Sequence, residues 1–500
     1  MSEKAAAQPA LAKVAAAGIA WTTAQTWVSR LGGMATVVIL ARLLSPEDFG
    51  VVAIAMALPP ILQLIADMGL STYILQAERP TRRTYSTFFW YSATAGVVLS
   101  GLLLAAAPVV GAVLDTPEVV PISAALAPVA LFVVLGSVPV TMLRREMRFR
   151  VIALQTVVAS IASQIVAVTL ALTGFGAWAL VWQTLTFQFI VLVLAWFSSR
   201  FRPRFAFSVA EFVEMTRFGV KVVGTQVLGA AAIWAVNAII VGALGTATLG
   251  YLNIAQRLIT LAQELTTNAL GMVSTVLFAR IRNDRVRLRG AFLRSLSISY
   301  AVAIPPMVLV AVGAPQIIPI VFGEQWGDSV VPAQLLAVAA VFASLAGVDY
   351  SLFIALGKPG TWFVYFVAID LIVVGVTALV VSQGLVAYAV GYAAAAVLAT
   401  AVRWVMLGRQ LSSPWWRIAE PFARTALPSA CAAAVGVGVG ALTAEWPALL
   451  ALIAMGSAML VVYLPLIRLT SPEAWSELSR LLGGAVRRLR PRAKEVRADA

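Results

Sequence analysis

About fourteen apolar stretches, separated by short gaps, make up almost the whole of this chain. A helix that crosses a bilayer needs about 20 mostly apolar residues. A chain that is 61% hydrophobic and 12% charged also has more apolar surface than one soluble core can bury. The sequence therefore predicts an all-α polytopic membrane protein with about 14 transmembrane helices. We expect the spans at residues 14–42, 48–75, 84–112, 118–143, 150–173, 175–199, 219–244, 247–279, 290–313, 329–356, 360–382, 385–407, 425–443 and 447–467.

The basic residues are concentrated in alternate gaps between the spans. Of 36 Lys and Arg residues, 33 follow this rule, and the exceptions are Arg30, Arg42 and Arg257. Because Lys and Arg are retained on the cytoplasmic side during insertion, the pattern requires an even number of spans and places both termini in the cytoplasm. The group from Arg403 to Arg424 is assigned to one such cytoplasmic gap. The first apolar stretch is longer than a signal-peptide core, so we expect it to remain as the first span.

Charge and rare residue types argue against several functions. The net charge of +14 is spread over many gaps instead of forming one patch with stacking aromatics, so we expect membrane lipids as partners and no nucleic acid. The chain has no His and a single cysteine, Cys431, which argues against His-based catalysis, a metal site or a cofactor. Most gaps are too short to hold an acceptor and catalytic carboxylates outside the membrane, so we do not expect an enzyme.

Identical residues recur at a fixed offset of 200 positions. Nine identities fall within 36 positions, from Ala35 and Ala235 onward, and they include Gly50 and Gly250. Such an offset indicates two duplicated halves. Each half would hold six spans, an even number, so both halves enter the membrane from the same side. Two pseudo-symmetric six-helix lobes with a central cleft are typical of an alternating-access transporter.

The expected division of the chain follows from this duplication. The last two spans lie outside it, and a basic tail follows them. The predicted segments are an N-terminal six-helix lobe at 1–200, a cytoplasmic amphipathic linker at 201–218, a C-terminal six-helix lobe at 219–410, two additional transmembrane helices at 411–468 and a basic cytoplasmic tail at 469–500.

Five polar residues recur in the eighth span at intervals of 4, 3, 4 and 3, which places them on one side of a helix. They are Asn253, Arg257, Thr260, Glu264 and Thr267. Polar side chains inside a bilayer normally face protein or water, so this face predicts a hydrated interior, to which the first and seventh spans also contribute. The expected substrate-binding residues are Arg30, Arg257, Gln25, Gln226, Asn237, Asn253 and Thr260.

The two intramembrane guanidinium groups, on Arg30 and Arg257, present forked donors that match phosphate oxygens. We therefore expect an anionic headgroup as ligand. Asp67 and Glu264 would either balance these charges when the site is empty or carry a coupling proton. Alternatively, Arg257 and Glu264 join helices to each other by pairing with Asp67 or with backbone carbonyls. The sequence leaves these roles open.

Three segments also carry a family resemblance. They are residues 39–50 (ILARLLSPEDFG) with 66–70 (ADMGL), residues 237–251 (NAIIVGALGTATLGY) and residues 322–326 (FGEQW). They resemble the matching segments of bacterial polysaccharide transporters, the O-antigen and exopolysaccharide flippases, and the long exporters of the colanic acid and amylovoran type most of all.

The resemblance implies the fold of the multidrug/oligosaccharidyl-lipid/polysaccharide (MOP) flippase superfamily. It also implies an undecaprenyl-diphosphate-linked oligosaccharide as substrate, a bacterial inner membrane, and a polymerase and other polysaccharide-assembly proteins as partners. In such flippases basic cavity residues are thought to engage the diphosphate, and Arg30 and Arg257 match that role by helix position. The family commonly has an acidic residue close to the Asn of the second segment, whereas Ala238 and Ile239 follow Asn237 here.

Two other functions remain open at this point. One is a MOP-fold exporter of drugs or small metabolites, which would carry more acidic than basic groups in its cleft. The other is a polysaccharide polymerase or ligase, which would need larger outer loops.

Overall fold

The structure is a computed structural model that describes residues 25–77, 80–264, 281–344 and 346–476, together with Trp21, Phe278 and Ser479. Nearly all of these residues are helical, and none of them lies in a strand. Twelve helices in the described ranges are long and apolar enough to cross a membrane. The predicted spans 14–42 and 247–279 both extend beyond the described residues and are not among the twelve. The other twelve predicted spans each have a candidate helix, and the expected all-α membrane fold class is confirmed.

The helices are numbered here in chain order. They are α1 (25–43), α2 (Pro46–Met56), α3 (Pro59–Asp67), α4 (Leu70–Gln76), α5 (Arg82–Val113), α6 (Val119–Arg145), α7 (Phe149–Leu172), α8 (Trp178–Ser199), α9 (Val209–Leu244), α10 (Thr246–Glu264), α11 (Arg285–Val321), α12 (Val330–Ala343), α13 (Ala346–Ala355), α14 (Pro359–Val380), α15 (Leu385–Gln410), α16 (Trp415–Leu442) and α17 (Ala448–Thr470). Short 3₁₀ turns occupy Glu324–Ser329 and Val381–Gln383.

A capping box starts α2. The Ser45 hydroxyl accepts a hydrogen bond from the Asp48 N–H at 3.2 Å, and the Asp48 carboxylate accepts one from the Ser45 N–H at 3.0 Å. Pro46 occupies the first turn, where its missing N–H leaves no helical bond unmade. The other Asp48 oxygen accepts from the Ala177 N–H at 2.9 Å, just before α8. One carboxylate therefore connects the starts of two helices.

The second predicted span is interrupted twice. Pro59 and Pro60 stand in the first turn of α3 and prevent α2 from continuing into it. Met68 and Gly69 adopt left-handed backbone conformations, with φ of 42° and 69°, and separate α3 from α4. The backbone groups at these breaks need partners other than their own helix.

Packing divides the chain into two compact units. Within the described residues, the first unit comprises those up to Asn253 with Val321–Trp326 and Asp370–Tyr388, and the second comprises the remainder. The helix α9 belongs to the first unit and is continuous from Val209 to Leu244, so part of the predicted linker and the seventh span form one helix.

One core cluster of the first unit lies where α4, α5, α6 and α9 meet. Its buried residues are Leu70, Ile74, Phe88, Phe89, Val138 and Met215. The segment before α9 packs against the start of α5, because the Trp90 Nε1–H donates to the Arg204 carbonyl at 2.8 Å and the Trp90 ring stacks on Phe205 at 5.0 Å.

The three segments that carry the family resemblance meet in the first unit. Trp326 is fully buried, and its Nε1–H donates to the Ala41 carbonyl at 2.8 Å. Its ring packs edge-on against Phe49 at 5.2 Å and against Tyr251 at 6.0 Å. The shared motif residues therefore form one structural contact.

In the second unit, α16 and α17 pack against α11. The Tyr463 hydroxyl on α17 donates to the Ala301 carbonyl at 2.8 Å, and Gly313 brings the backbone of α11 close to Met455. A second cluster of buried residues includes Phe292, Tyr300 and Leu352. The two helices beyond the sequence duplication thus share a core with this unit.

Candidate functional site

The polar face of α10 is observed as predicted over its described length. Asn253, Arg257 and Glu264 are half-buried and Thr260 is exposed, whereas Leu252, Ile254, Ala255, Leu258, Ile259 and Ala262 on the other sides are buried. The Thr260 hydroxyl donates to the Gln256 carbonyl of its own helix at 2.9 Å. Thr267 lies outside the described residues.

Arg257 carries a buried hydrogen-bond donor that is not satisfied within the described residues. Its Nε atom is buried and has no hydrogen-bond partner within the described part of the chain. Buried donors are satisfied in the great majority of cases, so this N–H is a candidate donor to a ligand. A guanidinium N–H held in this way can donate to an anionic oxygen.

The predicted residues of α1 and α9 are also partly accessible. Gln25 and Arg30 are half-buried on α1, and Arg30 interacts with other groups of the protein. On α9, Asn237 is half-buried and Gln226 is exposed. Gln25, Arg30, Gln226, Asn237 and Asn253 belong to the first unit, and Arg257, Thr260 and Glu264 to the second.

Asp67 ends α3 at the second break of its span. Its carboxylate accepts a hydrogen bond from the Ser71 hydroxyl in the first turn of α4. The Arg144 guanidinium is near enough to interact with it electrostatically. These two contacts connect Asp67 to the start of α4 and to a cation of α6, both in the first unit.

One buried ion pair was missed by the sequence analysis. Arg403 stands near the end of the predicted span 385–407 and was counted with the basic residues of the following cytoplasmic gap, and that count is wrong, because Arg403 lies within α15 and is only 2% exposed. Its Nε stands 2.9 Å from the Asp349 Oδ2 on α13, and that side chain is equally buried. Asp349 was recognisable as an intramembrane carboxylate, whereas Arg403 resembled the basic residues that follow it in the chain.

The same guanidinium satisfies a helix end. The carbonyl of Phe342 lies in the last turn of α12 and accepts from the Arg403 Nη2 at 2.9 Å and from the Thr400 hydroxyl at 3.1 Å. Carbonyls of a last turn have no partner within their helix. Arg403 thus contacts both sides of the interruption between α12 and α13.

Within the described residues, no group of three or more His, Cys, Asp or Glu side chains is arranged to hold a metal ion.

Comparison with known proteins identifies the family. Residues 39–331, more than half of the chain, match the family described as polysaccharide biosynthesis protein. The succinoglycan biosynthesis transport protein ExoT of Rhizobium meliloti (strain 1021) is 29% identical over 296 residues, covering 58% of this chain and 59% of ExoT. The match thus spans less than two thirds of ExoT. The lipopolysaccharide biosynthesis protein WzxC of Escherichia coli (strain K12) is 22% identical over 370 residues, covering 72% of this chain and 74% of WzxC.

Solved structures identify the fold. The lipid II flippase MurJ, in an inward closed conformation, aligns with a TM-score of 0.73 at 15% identity, over 93% of this chain and 99% of MurJ. An inward-facing multidrug resistance MATE transporter of the MOP superfamily aligns with a TM-score of 0.65 at 17% identity, over 77% of this chain and 94% of that chain. The resemblance seen in the sequence is confirmed. This multi-pass membrane protein belongs to the polysaccharide biosynthesis protein family and has the fold of MOP superfamily transporters.

Proposed function

We propose that this protein is a flippase that moves undecaprenyl-diphosphate-linked oligosaccharide units from the cytoplasmic to the periplasmic leaflet of a bacterial inner membrane. It works by alternating access, exposing its headgroup site to one side of the membrane at a time, and no covalent bond is made or broken. Both termini are cytoplasmic in this proposal, and the predicted lobes, linker and tail are its domains. The flipped unit passes to a polymerase and other polysaccharide-assembly proteins.

The observation that carries the proposal is the buried Nε of Arg257, which has no hydrogen-bond partner among the described residues. Exposing a charge to lipid is costly, so an intramembrane guanidinium faces protein, water or a ligand. Its planar fork matches two phosphate oxygens. A diphosphate supplies such oxygens and carries the opposite charge.

The other predicted residues complete the site in this proposal. Arg30 is the second cation for the diphosphate. Neutral donors and acceptors for the headgroup come from Gln25, Gln226, Asn237, Asn253 and Thr260. Glu264 and Asp67 balance charge or carry a coupling proton. Asp67 interacts electrostatically with the Arg144 guanidinium.

The family match and the relatives' names support this function over drug export. ExoT is named for succinoglycan biosynthesis transport and WzxC for lipopolysaccharide biosynthesis. The MurJ and MATE alignments support the fold alone, because both solved chains share less than a fifth of their residues with this one.

A deletion strain provides the test. Without the gene, undecaprenyl-linked repeat units should accumulate on the inner face of the membrane, and surface polysaccharide should be lost. Complementation with Arg257→Ala should fail although the variant reaches the membrane at normal abundance. Arg287→Ala, which removes an exposed guanidinium from the first turn of α11, is the matched control and should complement fully. Normal export by Arg257→Ala contradicts the proposed diphosphate contact.

A further inference from the structure

The first unit contains a pocket that is lined by none of the residues proposed to bind the lipid headgroup. Asp67, proposed to balance charge or carry a proton, does line it. The pocket has a volume of about 500 Å³ and is lined by α3, α4, α6 and α8. That volume falls within the range of about 300 to 1,000 Å³ that small-molecule sites occupy. Two of the helices contribute polar residues at helical spacing, Gln63 and Asp67 on α3 and Ser137, Thr141 and Arg144 on α6.

Polar and apolar side chains both line the pocket. Its polar groups are Gln63, Asp67, Ser71, Ser137, Thr141, Arg144 and Gln188. Most of the other lining residues are valines and leucines, with the ring of Phe132. A lipid acyl chain in this space would offer no hydrogen-bond partner to the Gln63 and Gln188 amides, and an unpaired polar group costs free energy inside a membrane.

Its charges cancel. The pocket holds one carboxylate and one guanidinium, Asp67 and Arg144, which interact with each other, and the carboxylate also accepts from the Ser71 hydroxyl. A phosphate would meet the repulsion of Asp67, and a cation would meet that of Arg144. The electrostatics therefore favour a neutral ligand.

The side chains suited to such a ligand are two primary amides. Gln63 on α3 and Gln188 on α8 both line the pocket. Each amide offers two donors and one acceptor, and a ring bearing several hydroxyls both donates and accepts. The face of Phe132 can pack against the C–H groups of such a ring, because the π face is electron-rich.

From these observations we propose that the pocket binds one sugar ring of the transported glycan, apart from the diphosphate. The inference rests on the proposed function for the identity of that glycan. It rests on the pocket alone for the chemical class of the ligand, a neutral polyhydroxylated ring.

Lipid binding in nanodiscs tests the first part. The probes are undecaprenyl diphosphate and the same lipid carrying one glucose or one galactose. The protein should bind at least one glycosylated lipid more tightly than the bare lipid. Gln63→Ala and Gln188→Ala should each weaken glycosylated-lipid binding by about 2- to 10-fold, as loss of one hydrogen bond does, and leave the bare lipid unaffected.

Controls separate the pocket from the diphosphate site. Gln164→Ala removes an amide of α7 that is bonded to Ser160 at 2.8 Å and does not line the pocket, and it should change neither affinity. Arg257→Ala should weaken all three lipids. Equal affinity of the unmodified protein for bare and glycosylated lipids overturns the proposal, and so does equal weakening of all lipids by the glutamine variants.

Cysteine protection tests the pocket without any lipid. In a Cys431→Ala background, Ser137→Cys places one thiol in the pocket wall, and its reaction with N-ethylmaleimide is timed. Maltose should slow labelling several-fold, and inorganic phosphate should not. Protection by phosphate instead of maltose, or by neither, overturns the sugar site. If maltose protects while no undecaprenyl lipid binds, the sugar site is supported and the proposed function fails.

Discussion

Gly50 and Gly250 each contact the backbone that precedes the other. A Cβ added to Gly50 would lie 1.8 Å from the carbonyl oxygen of Thr246, and one added to Gly250 would lie 2.0 Å from that of Pro46. Pro46 and Thr246 are themselves 200 positions apart, as the two glycines are. Contacts exchanged in this way are what a two-fold axis produces. The starts of α2 and α10 therefore cross in a symmetric contact that only glycine permits.

Replacing either glycine by alanine should destabilise the protein strongly. Both neighbours are backbone atoms, which cannot rotate away, so a methyl group forces the two helices apart. We expect a loss of about 3 kcal/mol or more, at the upper end of overpacking effects. The thermal unfolding midpoint and the monodisperse yield in detergent would show it. Gly242→Ala on α9, where a Cβ meets no atom within 4 Å, should leave the midpoint unchanged or raise it.

Breaking the buried pair of Asp349 and Arg403 should also be costly. Asp349→Leu or Arg403→Met leaves one charge buried without its partner, and we expect a loss of about 3 to 5 kcal/mol. The double variant Asp349→Leu/Arg403→Met should regain much of this, because an apolar pair of similar volume needs no desolvation. Thermal unfolding of the three variants measures the coupling.

The exposed pair of Glu420 and Arg424 is the matched control for that cycle. Its side chains are 49% and 54% exposed, and the two residues are four apart on α16. Solvent screens such pairs, so Glu420→Gln should cost less than about 1 kcal/mol. An equal cost for the buried and exposed pairs would contradict the role given to burial.

Trp326 should stabilise the contact between the three motif segments mainly through packing. Trp326→Phe loses the Nε1 hydrogen bond to Ala41, but Gln325 also donates to that carbonyl. We expect a cost of about 1 kcal/mol for the phenylalanine variant and about 3 to 5 kcal/mol for Trp326→Ala. The exposed Trp446 is the control, and Trp446→Ala should have little effect on unfolding.

Arg257→Lys should distinguish charge from geometry at the proposed diphosphate site. Lysine keeps the positive charge but loses the planar fork. Flipping measured in vesicles should fall by at least about 10-fold for Arg257→Ala, the effect of losing a charge-assisted hydrogen bond, and lysine should recover only part of it. Full activity of the lysine variant would show that the fork is not required.

Much of the architecture could be predicted because membrane helices obey local constraints. A spanning segment must satisfy its own backbone, so its length and apolar character can be read from the chain. The polar face of α10 also follows from spacing alone, since Arg257 and Thr260 share one side of any helix. The roles of the predicted binding residues stay predictions.

Pair interactions were harder to predict, as Arg403 and Asp67 show. Arg403 stands 54 positions after Asp349, near the end of its predicted span and next to a basic segment, so no local pattern shows that it pairs with a carboxylate. Asp67 could have paired with several cations, and packing places it beside Ser71 and Arg144.

The sequence by itself determined that the chain is a helical membrane protein, roughly where most of its spans lie and that identical residues recur at an offset of 200. These follow from hydropathy, charge and identity along one dimension. Only the tertiary structure decided that Gly50 and Gly250 exchange contacts, that Arg403 is buried and that Gln63 and Gln188 line one pocket. Each of these depends on distances between helices far apart in the chain, and such distances are set by packing.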